Sequence, residues 1–275
     1  MSETVEEIRE RVKNAQLNYE QNQKKIEDIL LNERGFIARE PLDEDVVVLC
    51  SGGLDSSVMI ERIIEEYNFK VHPLFIKRGA RAEKFEEQAF NFFAAFYKSR
   101  FPDNIGEIAK LDYIIPPKKF KEHFPKALAL TQGHPLRNST MQNLAVMYAV
   151  ALNGKLGLDI RTILTGSVAE DNTEPELGLL SLRAQTLNTC INLADWRWQI
   201  TSPLTDNIFR EKPLYKVNLI KYAVARSIPL EKTRTCFSGN EIADGTCFNC
   251  KKRLKAFEYA EVKDPLKYQM QKIKG

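Results

Sequence analysis

A run of seven residues, Ser51-Gly52-Gly53-Leu54-Asp55-Ser56-Ser57, brings together two adjacent glycines, three hydroxyls and one carboxylate. It follows a continuous apolar stretch, Val46-Val47-Val48-Leu49-Cys50. Unbroken β-branched runs mark strands buried on both faces of a parallel sheet. Beyond the seven residues, Val58-Met59-Ile60 and Ile63-Ile64 follow a helical repeat. Where a strand gives way to a helix, unpaired backbone N–H groups and the positive end of the helix dipole point outward, and an anion is the natural occupant. Two glycines let the backbone fold closely around phosphate oxygens. Ser51, Ser56 and Ser57 add hydroxyl donors. Asp55 is the odd member, because a carboxylate beside a phosphate is repulsive unless a cation such as Mg²⁺ lies between them. The plainer alternative is a strand-to-helix turn capped by Asp or Ser. Strand, glycine pair and helix coincide here, and that coincidence favours phosphate.

A second cluster lies near the C-terminus. Of five cysteines, Cys236, Cys247 and Cys250 fall within fifteen residues, while Cys50 and Cys190 stand alone. A Cys-x-x-Cys with a third cysteine nearby suits tetrahedral Zn²⁺. Isolated buried thiols and a redox dithiol are the alternatives, but no thioredoxin-like strand precedes this pair. Cys50, directly before the glycine pair, reads as a structural thiol on a buried strand.

The elements that position these residues alternate in type. Strands are expected near 46–50, 71–76, 111–115 and 162–165, and helices over 82–95, 141–152 and 214–225. Alternation of this kind implies an α/β fold: an open, mostly parallel twisted sheet with helices on both faces and right-handed crossovers. Residues 1–40 are helical and charged, with a narrow stripe of Ile8, Val12, Ala15, Tyr19, Ile26 and Leu30. They read as one or two helices laid against the body or a partner. Three regions result: an N-terminal helical extension over 1–40, an α/β domain over 41–230, and a cysteine-containing loop with a helix over 231–275.

Composition narrows the class. The chain has 275 residues, 43% hydrophobic and 28% charged, as in folded soluble proteins rather than disordered ones. A net charge of +3 is too near balance to imply nucleic acid, and Lys251-Lys252-Arg253-Leu254-Lys255 reads as a solvated helix face. No stretch approaches the ~20 apolar residues of a membrane span. The acidic, polar start is neither a secretory signal nor a transit peptide, so a cytoplasmic location is expected. Trp196 and Trp198 read as packing residues on a half-buried strand, and His134 is the one histidine expected near the site.

The glycine loop resembles the SGGxDS signature of the PP-loop, or N-type, ATP pyrophosphatases. It is not a Walker loop, which ends in Gly-Lys-Ser/Thr. The cysteine cluster resembles, more specifically, the zinc loop of the 7-cyano-7-deazaguanine synthases, the QueC-like branch. Cys236, Cys247, Cys250 and Arg253 match positions of that pattern, and Asp244 stands where the remaining cysteine falls. Gly79-Ala80-Arg81 resembles that family's Gly-Gln-Arg-His, with Ala82 in place of the histidine. Pro135-Leu136-Arg137-Asn138 resembles its Pro-Gly-Arg-Asn, and Thr165-Gly166 a Thr-Gly near the nucleotide. Ser202-Pro203-Leu204 and Lys216 resemble its phosphate-closing segment. Two departures stand out. Glu174-Pro175-Glu176-Leu177 replaces a Tyr-Pro-Asp-Cys segment near the deazaguanine, and residues 1–40 have no counterpart in compact members.

The resemblance implies an AMP-forming, ATP-dependent ligase. It would adenylate the carboxylate of a 7-deazaguanine and couple it to ammonia or another amine, giving an amide or nitrile. ATP would lie on Ser51, Gly52, Gly53, Leu54, Ser56, Ser57 and Gly166, with Mg²⁺ on Asp55. Arg81, Arg137 and Lys216 would neutralise anionic charge, and Zn²⁺ would be held by Cys236, Asp244, Cys247 and Cys250. A homodimer fits the family. Three alternatives stay open: a defence enzyme that attaches a deazaguanine to a protein amine, a tRNA-modifying ligase or thiolase, and a non-catalytic ATP-sensing partner docked through residues 1–40.

Overall fold

A computed structural model describes residues 3–41, 44–131, 133–172 and 174–269. Five parallel strands form the sheet: β1 (Asp45–Leu49), β2 (Lys70–Lys77), β3 (Ala109–Asp112), β4 (Thr162–Leu164) and β5 (Gln199–Thr201), in the order β3-β2-β1-β4-β5. Strand β1 is central. Val47 pairs with His72 on one side and Ile163 on the other. Because successive side chains on a strand face opposite ways, Val46 and Val48 enter one core and Val47 the other. All three are fully buried, and each contributes about 1.5–3 kcal/mol of apolar burial. An unbroken valine run serves both faces, so it does not alternate with polar residues.

Helices α3 (Leu54–Tyr67), α4 (Glu83–Arg100), α9 (Lys216–Ala225) and α10 (Phe248–Ala260) bury residues in the core with Val46 and Val48. Helices α7 (Arg137–Leu156) and α8 (Leu179–Leu193) cover the other face. Between β3 and α7 lie two short helices, α5 (Lys118–Lys121) and α6 (Lys126–Thr131). The expected third strand lies slightly earlier than 111–115, because this edge strand alternates in exposure and Ile115 buries its side chain after the strand has ended. Trp198 is buried and Trp196 packs against the same core just before β5, in the packing role expected of them.

The N-terminal region forms two helices, α1 (Val5–Gln16) and α2 (Tyr19–Arg34). Thr4 and Glu7 close a capping box on α1, and Gly35, left-handed at φ 79°, ends α2. Helix α1 lies against α6, and α2 lies along α8. No described helix is long and apolar enough to cross a membrane.

Candidate active site

The loop between β1 and α3 stands where the sheet order turns from β1 toward β2 on one side and β4 on the other. At such switch points the strand ends leave a crevice that binds ligands. Here the crevice is a cavity of about 210 Å³, lined by Ser51, Gly53, Asp55 and Ser56 of this loop and by Thr165, Gly166 and Ser167 after β4. Gly52 is left-handed at φ 69°, and a Cβ there would lie 2.6 Å from the Glu86 carbonyl oxygen and 2.7 Å from the Phe90 nitrogen. Only glycine fits. A Cβ on Gly166 would lie 2.9 Å from Ser56 Cα and nitrogen, so the loop after β4 presses on the first turn of α3. The Ser51 N–H donates to Ser56 Oγ at 3.3 Å, and the Gly53 N–H to Ser51 Oγ at 3.3 Å. Gly52, Leu54 and Ser57 lie off the cavity wall. Leu54 packs into the core, and the fully buried Ser57 Oγ has no partner. Cys50 reaches the wall as a thiol whose burial pushes its pKa up, which keeps it protonated.

Charge is concentrated at the mouth of this loop. Lys216, the first residue of α9, pairs its ammonium with Asp55 Oδ2. Asp55 Oδ1 is buried without a partner. Asp171, in a 3₁₀ turn after β4, also lines the cavity. Burial first, and the Asp55 carboxylate second, hold its pKa above the usual range, against Lys216 and Lys252. Lys252 approaches Asp171 and Glu174 at 3.9 Å each. Two carboxylates with one buried oxygen unsatisfied are chemically compatible with a divalent cation. Asp171 is not apparent from the sequence, because its nearness to Asp55 depends on β4 lying beside β1.

The cavity wall also carries Arg78, Asn138, Met141, Gln142 and Leu177. Arg78 donates twice to Glu86, at 2.8 and 2.9 Å, and both side chains are largely buried. It follows β2 directly, the position at which α/β sheets present ligand-binding groups. Arg81 does not reach the cavity wall: it is exposed, and its Cγ would lie 3.2 Å from a Cβ on Gly239. Arg78 thus occupies the cavity position expected of Arg81. Arg137 opens α7 beside the wall residue Asn138, and burial, then the nearby Arg78, hold its pKa below normal. Gln142 Oε1 is buried without a partner, an acceptor available to a polar ligand. His134 sits off the wall against Phe124, and burial, with Lys121 and Arg137, lowers its pKa.

Behind the phosphate loop the four predicted metal ligands converge. One ligand atom each from Cys236, Asp244, Cys247 and Cys250 lies within 4.8 Å of the others. The Cys236 and Cys247 sulfurs are 4.0 Å apart, close to the ~3.8 Å that tetrahedral Zn–S bonds of ~2.3 Å require. Backbone N–H groups aim at the sulfurs: Ser238 and Asp244 donate to Cys236, and Cys250 donates to Cys247, each at 3.4 Å. Asp244 Oδ1 accepts from Thr246 and Cys247 nitrogens at 2.8 and 2.9 Å, which hold its pKa below normal. The donor set fits zinc. Arg253, fully buried, ties α10 to this region through Asp264 at 2.8 and 3.0 Å and Thr233 at 2.6 Å.

A five-stranded Rossmann-order sheet, a glycine loop at its switch point and a Cys₃Asp cluster behind that loop define a phosphate-binding α/β protein. The particular family is set by comparison: residues 45–261 match the family described as Queuosine biosynthesis protein QueC, and the chain belongs to it as an enzyme of that family. Among curated relatives, the 7-cyano-7-deazaguanine synthase of Thermoplasma acidophilum is 30% identical over 228 residues, 81% of this chain and 91% of that protein. That of Acetivibrio thermocellus is 31% identical over 231 residues, 81% and 96% of the two chains. A solved structure, the U34-tRNA thiolase NcsA from Methanococcus maripaludis, matches at a TM-score of 0.39 and 14% identity, covering 88% of this chain and 72% of that one. No conclusion rests on that last likeness.

Proposed function

We propose that the protein is an AMP-forming ligase that activates the carboxylate of a 7-deazaguanine, 7-carboxy-7-deazaguanine in the first instance, with ATP. The observation that carries this reading is one cavity whose wall includes the glycine loop, Asp55, Asp171 and Arg78. A triphosphate and a carboxylate can then meet inside it. The β and γ phosphates lie on the backbone of the glycine loop with Ser51 and Ser56. Asp55 and Asp171 would hold Mg²⁺, which would supply positive charge for the pyrophosphate, and Lys216, paired with Asp55 in the free protein, is placed to turn to the phosphates. Arg78, fixed by Glu86, orients the carboxylate. A carboxylate oxygen attacks the α-phosphorus, the bond to the bridging oxygen breaks, and pyrophosphate leaves. Ammonia or another primary amine then attacks the acyl carbon, loses a proton and releases AMP, leaving an amide. Where the amine is ammonia, the oxygen of the primary amide attacks the α-phosphorus of a second ATP and releases pyrophosphate. The C–O bond then breaks with AMP as leaving group while the nitrogen gives up both protons, leaving a nitrile, the outcome named in the relatives' 7-cyano product. Positioning and charge stabilisation supply most of the catalysis. Cys236, Asp244, Cys247 and Cys250 would hold Zn²⁺ in a structural role, since four protein ligands would leave no open position.

The basic run of α10 gives little support to an RNA substrate. Arg253 is buried, Lys252 stacks on Phe248 beside Asp171, and Lys255 stacks on Tyr259. Pyrophosphate release from ATP and Mg²⁺, with and without 7-carboxy-7-deazaguanine, tests the proposal, with products read by mass spectrometry. Carboxylate-dependent pyrophosphate is expected, and the product mass identifies the amine. Protein that binds ATP but ignores the carboxylate would refute the substrate assignment.

A further inference from the structure

The family match begins at residue 45. Relatives are covered almost whole, 91% and 96% in the two cases above, by alignments spanning 81% of this chain. Helices α1 and α2 therefore lie outside what the family shares. Yet α2 is fastened along the length of α8. Its Tyr19 hydroxyl accepts the Leu180 N–H at 2.7 Å, Glu27 accepts from buried Arg183 at 3.1 Å, Leu30 is fully buried, and Arg34 donates to the Trp198 carbonyl at 2.6 Å.

The first of these contacts lies beside the cavity. Leu180 is in the first turn of α8, where N–H groups have no helical partner. Asn172 Oδ1 takes the Leu179 N–H at 3.1 Å, and Tyr19 takes the next. A Cβ on Gly178 would lie 2.2 Å from the Tyr19 hydroxyl oxygen and 2.1 Å from the Asn172 carbonyl oxygen, so the chain is pinched between the two. Immediately before the pinch, Leu177 lines the cavity, and Glu176 accepts the Asn138 N–H at 3.1 Å. Glu176 holds a left-handed φ of 69°, a conformation that a non-glycine residue keeps only when its surroundings impose it.

We propose that Tyr19 is a positioning residue: its hydroxyl fixes residues 174–178 so that Leu177 stands in the substrate wall of the cavity and Glu176 holds the wall residue Asn138. The N-terminal extension is then a brace on the active site. That the wall faces a deazaguanine rests on the function proposed above; that Tyr19 holds the segment does not.

Tyr19→Phe keeps the ring and removes the acceptor. Amide exchange read by mass spectrometry should quicken at Leu180 and through 174–180 by roughly three- to tenfold, the effect of one lost hydrogen bond. Exchange in β1 and the melting temperature should stay as in wild type. In the pyrophosphate assay the KM for 7-carboxy-7-deazaguanine should rise by a similar factor, with the KM for ATP and kcat unchanged. Tyr19→Ala should enlarge both effects. Identical exchange in wild type and Tyr19→Phe would overturn the proposal. Faster exchange with an unchanged carboxylate KM would overturn the link to the substrate wall. Wild-type protein inert toward the carboxylate would refute the proposed function instead, and the exchange result would still decide the role of Tyr19.

Discussion

Replacing Gly52 by alanine tests whether the glycine loop is held in shape by its neighbours. Two penalties arise. A non-glycine residue in the left-handed region costs about 1–2 kcal/mol, and the new Cβ meets three fixed atoms of α4: Glu86 O at 2.6 Å, Phe90 N at 2.7 Å and Ala89 Cβ at 2.8 Å. Two of these are backbone, so no rotamer change relieves them, and overpacking adds about 1–3 kcal/mol. The expected loss is about 2–5 kcal/mol, read as a lower urea midpoint with unchanged slope. If the loop retreats instead, the Arg234 N–H to Gly52 carbonyl bond of 2.8 Å breaks and ATP affinity falls. Gly53→Ala is the internal contrast. There the Cβ meets Ser51 Oγ at 3.1 Å, which can rotate, and Gly53 lines the cavity. That variant should keep its stability but bind ATP more weakly by calorimetry. A Gly52→Ala protein with wild-type midpoint and wild-type ATP affinity would refute the reasoning.

Asp55→Asn should reduce pyrophosphate release at least a hundredfold while circular dichroism shows an intact fold; wild-type turnover would sink the cation assignment. Arg78→Gln should lower kcat/KM for the carboxylate by about ten- to a hundredfold, the range of one charged hydrogen bond, whereas Arg81→Gln should cost less than threefold; the reverse order would restore Arg81 to the cavity. Elemental analysis should find one zinc per chain, with Asp244→Ala losing metal to a chelator faster than wild type and Asp244→Cys holding it more tightly. Glu61 is fully buried beside Arg100 at 2.9 Å, and burial, partly offset by Arg100, raises its pKa from 4.5 to about 7. The folded state therefore binds this proton more tightly than the unfolded one, so Glu61 makes stability fall as pH rises between about 4.5 and 7. The slope is at most about 1.4 kcal/mol per pH unit, with no further loss above pH 7. Glu61→Gln should flatten that part of a melting-temperature profile, and an unaltered profile would exclude the mechanism.

The glycine loop's strand-to-helix geometry was legible because it is local: strand, glycine pair and helix start are contiguous in the chain. The convergence of Cys236, Asp244, Cys247 and Cys250 was legible for the same reason, with Asp244 placed by its turn to Cys247. Arg78 and Arg81 show where that legibility ends. They lie three residues apart, and a tripeptide likeness selects Arg81, but the end of β2 falls at Lys77, so Arg78 enters the cavity and Arg81 turns outward. Asp171 depends on strand order, which no local pattern carries. Helix α8 escaped notice because its one charged residue, Arg183, is buried against Asp206 and Glu27; with no charged outer face it has little amphipathic contrast. In the N-terminal stripe, Ile8 and Leu30 are buried as expected, but Ala15 is exposed, because the break near Leu17 and Asn18 resets the helical phase between α1 and α2.

The cysteine cluster and the glycine loop are mechanically one unit, so a metal bound at that cluster would act on the shape of the loop. Arg234 stands two residues before the ligand Cys236. Its backbone N–H holds the Gly52 carbonyl, and its guanidinium stacks over Phe85 while donating to the carbonyls of Cys236, Ser238, Asn240 and Glu241 at 2.6–3.1 Å. Five carbonyl contacts converge on one residue, so the conformation of the loop from 236 to 241 is transmitted to Gly52. A metal on Cys236 would fix one end of that loop, and the Arg253 contacts with Thr233, Thr235 and Asp264 fix the segment leading into it from the other side. Removing the metal leaves the second attachment in place, so the chain need not unfold, but the carbonyl that Arg234 steadies is released from one of its two restraints. Nucleotide affinity should therefore fall before cooperative unfolding does, a sequence that a zinc serving only global stability would not produce.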